Sequence, residues 1–310
     1  MRPGTAFVSD TPPTIGDNRS MTLLEPTDLS SLATDCDLCL VAVDMDGTLL
    51  DDDKNFPERL PELLDIMDER GIVFAPSSGR QVWTLLDMFP GRPGMTVIAE
   101  NGAIVMKDGK EVSSSPIDHE TIHRVIDMVR DAVATGINGG LVMCGKQFAY
   151  VERTDDLFVD GVLPYYHRTK RIADQHEIID MIDSGEIDDD IVKLAVMCLD
   201  SVGPLAEATL ANFADTHQYA VSGTNWADLQ IRGVDKGDAV LALQNALGVT
   251  PAQTAAFGDF HNDISMFKYA DWSFAMANAH ADVVAEARYI APSNNEDGVG
   301  QVVRTLIGDD

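Results

Sequence analysis

The chain has 310 residues, 45% hydrophobic and 24% charged, with 51 acidic against 22 basic side chains and a formal net charge of −29. Such a surface repels nucleic acid and anionic membranes and removes both from the expected partners. The length allows a substantial core and two domains, and no apolar run approaches the roughly 18 residues that a membrane-crossing helix needs.

Residues 1–36 are rich in Thr, Ser, Pro and Asp and read as a poorly ordered tail. They lack a basic-then-apolar leader pattern, so a cytoplasmic protein is expected, starting at Met1 or at Met21. Four cysteines fit a reducing compartment. Cys36 and Cys39 have CxxC spacing, but Cys39 falls in an apolar run and no second close pair accompanies it, so neither zinc nor redox chemistry is expected there.

Leu38 to Val43 is apolar at every position, as in a parallel strand covered on both faces, and runs into Asp44-Met45-Asp46-Gly47-Thr48. Open α/β sheets bind ligands just beyond the carboxyl ends of their strands. Alternation along an extended backbone can point Asp44 and Asp46 the same way, and two such charges need a cation or a proton between them. A helix follows with Leu60, Leu63, Leu64 and Met67 on one face, then a strand from Ile72 to Ala75 ending in Ser77-Ser78-Gly79-Arg80. A further helix and a third strand end in Glu100-Asn101-Gly102. The β-α-β-α-β alternation predicts a doubly wound, Rossmann-like parallel sheet of α/β class.

The pattern then changes to a hairpin around Asp108-Gly109 and mixed strands and helices, predicting an inserted α+β domain at 116–225. The core then comprises 37–115 and 226–310. Within the insert, His119-Glu-Thr-Ile-His123 matches a zinc-protease motif. No further histidine follows at a third-ligand spacing, and Ile122, Val125, Ile126 and Val129 make an apolar face, so ordinary packing is expected. From Gly233 the first pattern returns: Lys236 opens a helix, and the strand Thr254 to Phe257 ends in Gly258-Asp259-Phe260-His261-Asn262-Asp263.

The order DMDGT (44–48), SSGR (77–80), DKG (235–237) and GDFHND (258–263) resembles the haloacid dehalogenase-like phosphatases, and within them the Cof-type, class IIB branch with its larger inserted cap. ENGA (100–103), MANA (276–279) and NNEDGV (294–299) fit that branch too. The resemblance implies a Mg²⁺-dependent phosphomonoester hydrolase working through an aspartyl-phosphate, on small phosphorylated metabolites and sugar phosphates above all. It implies Asp44 as nucleophile and Asp46 as acid and then base, with the metal held by Asp44, Asp259, Asp263 and the Asp46 carbonyl. Ser78, Gly79, Arg80, Asn101, Lys236, Asn262 and the Met45 N–H would bind the phosphoryl group. Ser78 is chosen over Ser77 because it immediately precedes Gly-Arg. Asp228 and Ile231 depart from the branch pattern (often Glu and Pro) near the junction with the cap, and His261 is a variable position expected to face solvent.

In the cap, LVMCGKQFAYVE and neighbouring loops are expected to set substrate choice, with Lys146, Tyr150 and Arg153 approaching the leaving group; FMN and pyridoxal phosphate are further candidate substrates. A phosphosugar mutase and a catalytically silent phosphometabolite-binding module remain alternatives. The sequence leaves the oligomeric state open and is compatible with a monomer.

Overall fold

In the computed structural model, residues 25–32, 34 and 36–309 are described. The chain builds two sheets, and only the first runs through both ends of the described sequence. Strands β1 (Leu40–Asp44), β2 (Val73–Ser77), β3 (Val97–Ala99), β4 (Ile104–Lys107) and β5 (Lys110–Ser114) enter it in order. Next come β6 (Gly139–Gly145), β7 (Ala149–Val151), β8 (Thr169–Arg171), β9 (Ile191–Cys198), β10 (His217–Val221) and β11 (Trp226–Ile231), all in the second sheet. The chain then returns to the first with β12 (Thr254–Gly258), β13 (Trp272–Met276) and β14 (Tyr289–Ala291).

The first sheet has the order β14-β13-β12-β1-β2-β3-β4-β5, parallel as far as β3 and antiparallel beyond it. β1 is buried at every position, as its unbroken apolar run requires of a central strand. It lies between β12 and β2, so strand order reverses there and the crevice beyond its carboxyl end is where such sheets take ligands. Asp44 pairs in register with Ser77, which places Ser78 one residue beyond the sheet.

The second sheet, β10-β11-β9-β6-β7-β8, is antiparallel except between β7 and β8. It includes β11, so the inserted unit extends to Ile231, past the expected limit at 225. The reason is a hairpin: β10 and β11 pair from His217↔Ile231 to Val221↔Ala227, and a cut at 225 falls inside it. Gln81 exchanges hydrogen bonds with the Arg168 backbone (3.0 and 3.3 Å), and Thr84 accepts from His167 N–H (3.0 Å) and donates to the Tyr165 carbonyl (3.0 Å). These contacts hold the second unit over the carboxyl edge of the first sheet.

Among the described residues the tail expectation fails from Thr27. Thr27 N–H donates to the Ile290 carbonyl, Ile290 N–H donates to the Thr27 hydroxyl (both 2.9 Å), and Cys36 N–H donates to the Leu306 carbonyl (2.8 Å). Leu32 is buried in the core. Residues 1–24, Met21 with them, lie outside the described residues. None of the four cysteines is in a disulfide. No helix among the described residues is long and apolar enough to cross a membrane.

Candidate active site

Asp44 ends β1 in a buried setting, and the loop after it is folded back on itself: Leu49 and Leu50 N–H donate to the Met45 carbonyl at 3.1 and 2.8 Å. Gly47 has φ +83, and a Cβ there would lie 2.5 Å from Asp259 Oδ2, so glycine is required on both counts. Thr48 Oγ1 donates to Asp259 Oδ1 at 3.0 Å and fixes that carboxylate beside the loop. The loop is braced from outside by asparagines. Asn278 Nδ2 donates to the Gly47 carbonyl (2.7 Å), and Asn294 Nδ2 donates to the Leu50 carbonyl (3.0 Å). Asn294 N–H in turn donates to Asn278 Oδ1 (3.1 Å), which gives the MANA and NNEDGV segments a physical task.

Lys236 arrives from the first turn of the helix Lys236–Leu247, whose N-cap Asp235 accepts from Asp238 N–H. That helix start lies against the Glu100–Gly102 turn, where a Cβ on Gly102 (φ +99) would meet the Asp235 carbonyl at 2.2 Å. The Lys236 ammonium is buried and donates to Asp44 Oδ1 (2.5 Å) and Asp263 Oδ1 (2.7 Å). The other Asp263 oxygen accepts from the N–H groups of Asp259 and Phe260, both at 3.0 Å. Asp263 is thus already bonded at both oxygens and supports the loop.

Asp44, Asp259 and Asp263 bring carboxylate oxygens within 4.8 Å of one another. One lysine faces these three acids. Burial and the neighbouring Asp263 carboxylate push Asp44 up to about 8, against the opposing pull of Lys236. Burial and Asp263 likewise raise Asp259 to about 6. Burial works against the charge on Lys236, but Asp263 and Asp44 overcome it and raise its value. A buried excess of negative charge carried on hard oxygens is the donor set that suits Mg²⁺. The residues present therefore fit that ion.

Asp46 is held differently. Arg80 engages both of its oxygens, one of them at 3.1 Å, and Lys54 pairs with it at 3.0 Å. Partial burial would raise Asp46, but Arg80 and Lys54 outweigh it and hold the carboxyl below its ordinary value. Ser78 Oγ accepts from Arg80 N–H and from its guanidinium, both at 3.2 Å. Asn262 Nδ2 donates to Asn101 Oδ1 (3.3 Å), and the Asn101 amide lies against Gly79. Asp44, Asp46, Ser78, Gly79, Arg80, Asn101, Lys236, Asp259 and Asn262 line one cavity of about 750 Å³. Met45 is fully buried in the core beside it, and Ser77, also fully buried, does not reach the cavity.

The far wall of the cavity comes from the second unit, and from residues other than those expected. Lys146 pairs with Glu111 (3.0 Å) and Asp190 (2.6 Å), the Tyr150 hydroxyl donates to Asp189 (2.8 Å), and Arg153 pairs with Asp155 (2.6 Å). None of the three lines the cavity; each is engaged by a neighbouring acid, and Lys146 also reaches Glu111 of the first sheet. Tyr165, Tyr166, Trp226, Asp228 and Gln230 line it instead, with Lys193. Asp228, expected at the junction, therefore also faces the cavity.

Lys193 sits in the otherwise apolar β9 and forms a buried ion pair with Glu100, while donating to the Gly79 carbonyl at 3.0 Å. Gln230 Nε2 donates to the Glu100 carbonyl at 2.6 Å. Burial raises Glu100 despite Lys193, and burial opposes the charge on Lys193, but Glu100 and Asp228 raise its value above the usual lysine range. A lysine inside a strand as apolar as IVKLAVMC is the signal that could have disclosed this pair. Glu100→Ala leaves the buried ammonium without its counter-charge, so unfolding in urea is expected to show a loss of about 3–5 kcal/mol. An unchanged midpoint would mean that Lys193 finds another partner.

The HETIH segment opens the helix His119–Ala134, with Ile122, Val125, Ile126 and Val129 buried as expected. His119 pairs with Asp183 (2.8 Å), and His123 stacks on His176. Neither belongs to a group of three metal-ligating side chains among the described residues.

The family profile of the haloacid dehalogenase-like hydrolases matches residues 41–303. The chain belongs to this family. It is similar to the 5-amino-6-(5-phospho-D-ribitylamino)uracil phosphatase YbjI of Escherichia coli strain K12, at 33% identity over 86% of this chain and 96% of that protein. Bacillus subtilis strain 168 has a relative with the same described activity, YcsE, at 24% identity over 87% of this chain and 96% of that one. Among solved structures, a haloacid dehalogenase-like hydrolase from Bacteroides thetaiotaomicron shares the fold with a TM-score of 0.73 and 21% identity, covering 86% of this chain and 98% of that one. The family member described here keeps the α/β core with an α+β insertion.

Proposed function

We propose that this hydrolase of phosphoric monoesters acts on small phosphorylated metabolites, sugar phosphates among them, through an aspartyl-phosphate on Asp44. The observation that supports this most is the convergence of Asp44, Lys236 and Asp259 on one cavity with Asp46 and Ser78, with Asp263 buried behind it against Lys236. In the first half-reaction a carboxylate oxygen of Asp44 attacks phosphorus, the ester P–O bond breaks, and the leaving oxygen takes a proton from Asp46. In the second, Asp46 accepts a proton from water as the water attacks phosphorus. Inorganic phosphate leaves and the Asp44 carboxylate is restored.

Mg²⁺ held by Asp44 and Asp259, with Asp263 in support and the Asp46 carbonyl as a further ligand, would neutralise charge on the phosphoryl oxygens. Lys236 supplies a fixed positive charge against the same oxygens, while Ser78, the Gly79 and Met45 N–H groups and Asn262 orient them. Arg80 has a double part. While it clamps Asp46 that carboxyl is held low, and transfer of the guanidinium to the incoming phosphate frees Asp46 to carry the proton. Gly47→Ala displaces Asp259 and strains the loop, so kcat/KM on p-nitrophenyl phosphate with Mg²⁺ is expected to fall about a hundredfold. Wild-type kcat/KM in that variant would contradict the assigned position of Asp259.

The cavity wall favours a second, narrower reading of the substrate. Trp226 packs edge-on against Tyr165 with ring centroids 5.5 Å apart and lies 6.0 Å from Tyr166, giving an aromatic surface next to Asp228 and Gln230. Such a wall suits a planar, hydrogen-bonding ring joined to a phosphorylated chain. The named substrate of the Escherichia coli and Bacillus subtilis relatives has that form. Phosphate release from 5-amino-6-(5-phospho-D-ribitylamino)uracil, compared with hexose phosphates at equal concentration, tests both readings. The narrower one predicts the higher kcat/KM for the ring compound and a selective loss in Trp226→Ala. No release from either class above the Asp44→Asn background would overturn the proposal as a whole.

A further inference from the structure

Beside the catalytic cavity lies a second group of metal-type donors. His261 opens the turn after β12, and His280 caps the helix Ala281–Glu286, which carries Asp282. His261 Nε2 lies 3.1 Å and His280 Nδ1 3.4 Å from the same oxygen, Asp282 Oδ2. All three donor atoms lie within 4.8 Å of one another, and the two imidazole rings are 4.4 Å apart at their centroids. Zinc–ligand bonds of about 2.0–2.1 Å in a tetrahedral shell put neighbouring donors about 3.3 Å apart, which both measured pairs already approach. The two histidine nitrogens also lie within 4.8 Å of each other. The Asp282 N–H reaches His280 Nδ1 at 3.3 Å, a long bond that a metal would displace.

We propose that His261, His280 and Asp282 form a site for a borderline divalent transition metal such as Zn²⁺, distinct from the carboxylate site at Asp44. Two imidazoles and one carboxylate select Zn²⁺, Co²⁺, Ni²⁺ or Cu²⁺ over Mg²⁺, whereas the Asp44–Asp259 pair offers only hard oxygens. The three ligands are exposed, so a metal enters from solvent and completes its shell with water. The two sites are mechanically joined, because the His280 N–H donates to the Asp259 carbonyl at 3.0 Å and His261 itself lines the cavity. This inference concerns metal binding alone and stands apart from the phosphatase reading.

The test is titration of the untagged full-length protein with Zn²⁺ in saturating Mg²⁺, by calorimetry, and with Co²⁺ by visible absorption. One equivalent is expected to bind, with histidine-type cobalt absorption bands. His261→Gln and His280→Gln are each expected to weaken it about tenfold or more, and the double variant to remove it, while Asp44→Asn retains it. Zn²⁺ affinity unchanged in the double variant would overturn the proposal. So would binding that disappears in Asp44→Asn or in Cys36→Ser/Cys39→Ser while both histidines are intact.

Discussion

Asp44→Asn is expected to abolish phosphate release, by roughly ten-thousandfold or more, and at the same time to make the Mg²⁺-free protein more stable near pH 8. The loss of activity follows from the proposed role of Asp44 as the nucleophile. The gain in stability follows from the buried acids. Asp44 is raised from its ordinary 3.8 to about 8, first by burial and then by Asp263, so the folded chain binds that proton more tightly than the unfolded one. For an acid shifted upward, the favourable contribution is complete below the unfolded value and is lost as pH rises through about 8. The neutral asparagine avoids that loss, so the melting temperature of the variant should exceed that of the wild type most clearly at the alkaline end. Saturating Mg²⁺ should narrow or reverse the difference, because an ion held by the folded wild-type acids, as proposed, would stabilise them by mass action. Equal melting curves with and without Mg²⁺ in the wild type would contradict the assignment of the metal to these carboxylates.

Lys236→Met is expected to act in the opposite direction on stability. The lysine is fully buried and bonded to both Asp44 and Asp263, so its removal leaves these acids facing each other without the cation that bridges them. Breaking a buried pair from one side costs about 3–5 kcal/mol, and methionine keeps most of the volume, so denaturant unfolding should isolate the charge effect. Activity should fall about 10²–10³-fold, the range for loss of one fixed electrostatic group. Adding Asp44→Asn to Lys236→Met should recover part of the stability and none of the activity. A double variant less stable than Lys236→Met alone would show that Asp44 and Lys236 are not coupled as their contact indicates.

Much of this is legible in the sequence, and for definite reasons. β1 reads as a central strand because no polar residue interrupts it, and Asp44 stands out because two acids follow an apolar run. Lys236 and Asp259 are legible because each stands between a strand-like and a helix-like segment in a fixed order. What stayed hidden depends on contacts between distant segments. Glu100 and Lys193 meet across the two sheets, and neither carries a local sign of the other except the anomaly of a lysine within β9. The cavity wall was assigned to LVMCGKQFAYVE, yet Lys146, Tyr150 and Arg153 are each satisfied by Asp190, Asp189 and Asp155 of the same unit. Trp226 and Tyr165 form the aromatic wall only because the β10–β11 hairpin and the 165–168 segment are brought to the same edge. The boundary lies past 225 for a related reason: β11 leads straight into the core, and its pairing with β10 is visible only in the register.

The covalent state of Asp44 during turnover decides whether this carboxylate is the nucleophile. The protein with Mg²⁺ and a substrate that it hydrolyses would be quenched in acid within one turnover, digested and mapped by mass spectrometry. Phosphate is expected on the peptide carrying Asp44, removed by hydroxylamine and absent from Asp44→Asn. Phosphate on another residue, or wild-type phosphate release by Asp44→Asn, would contradict that role.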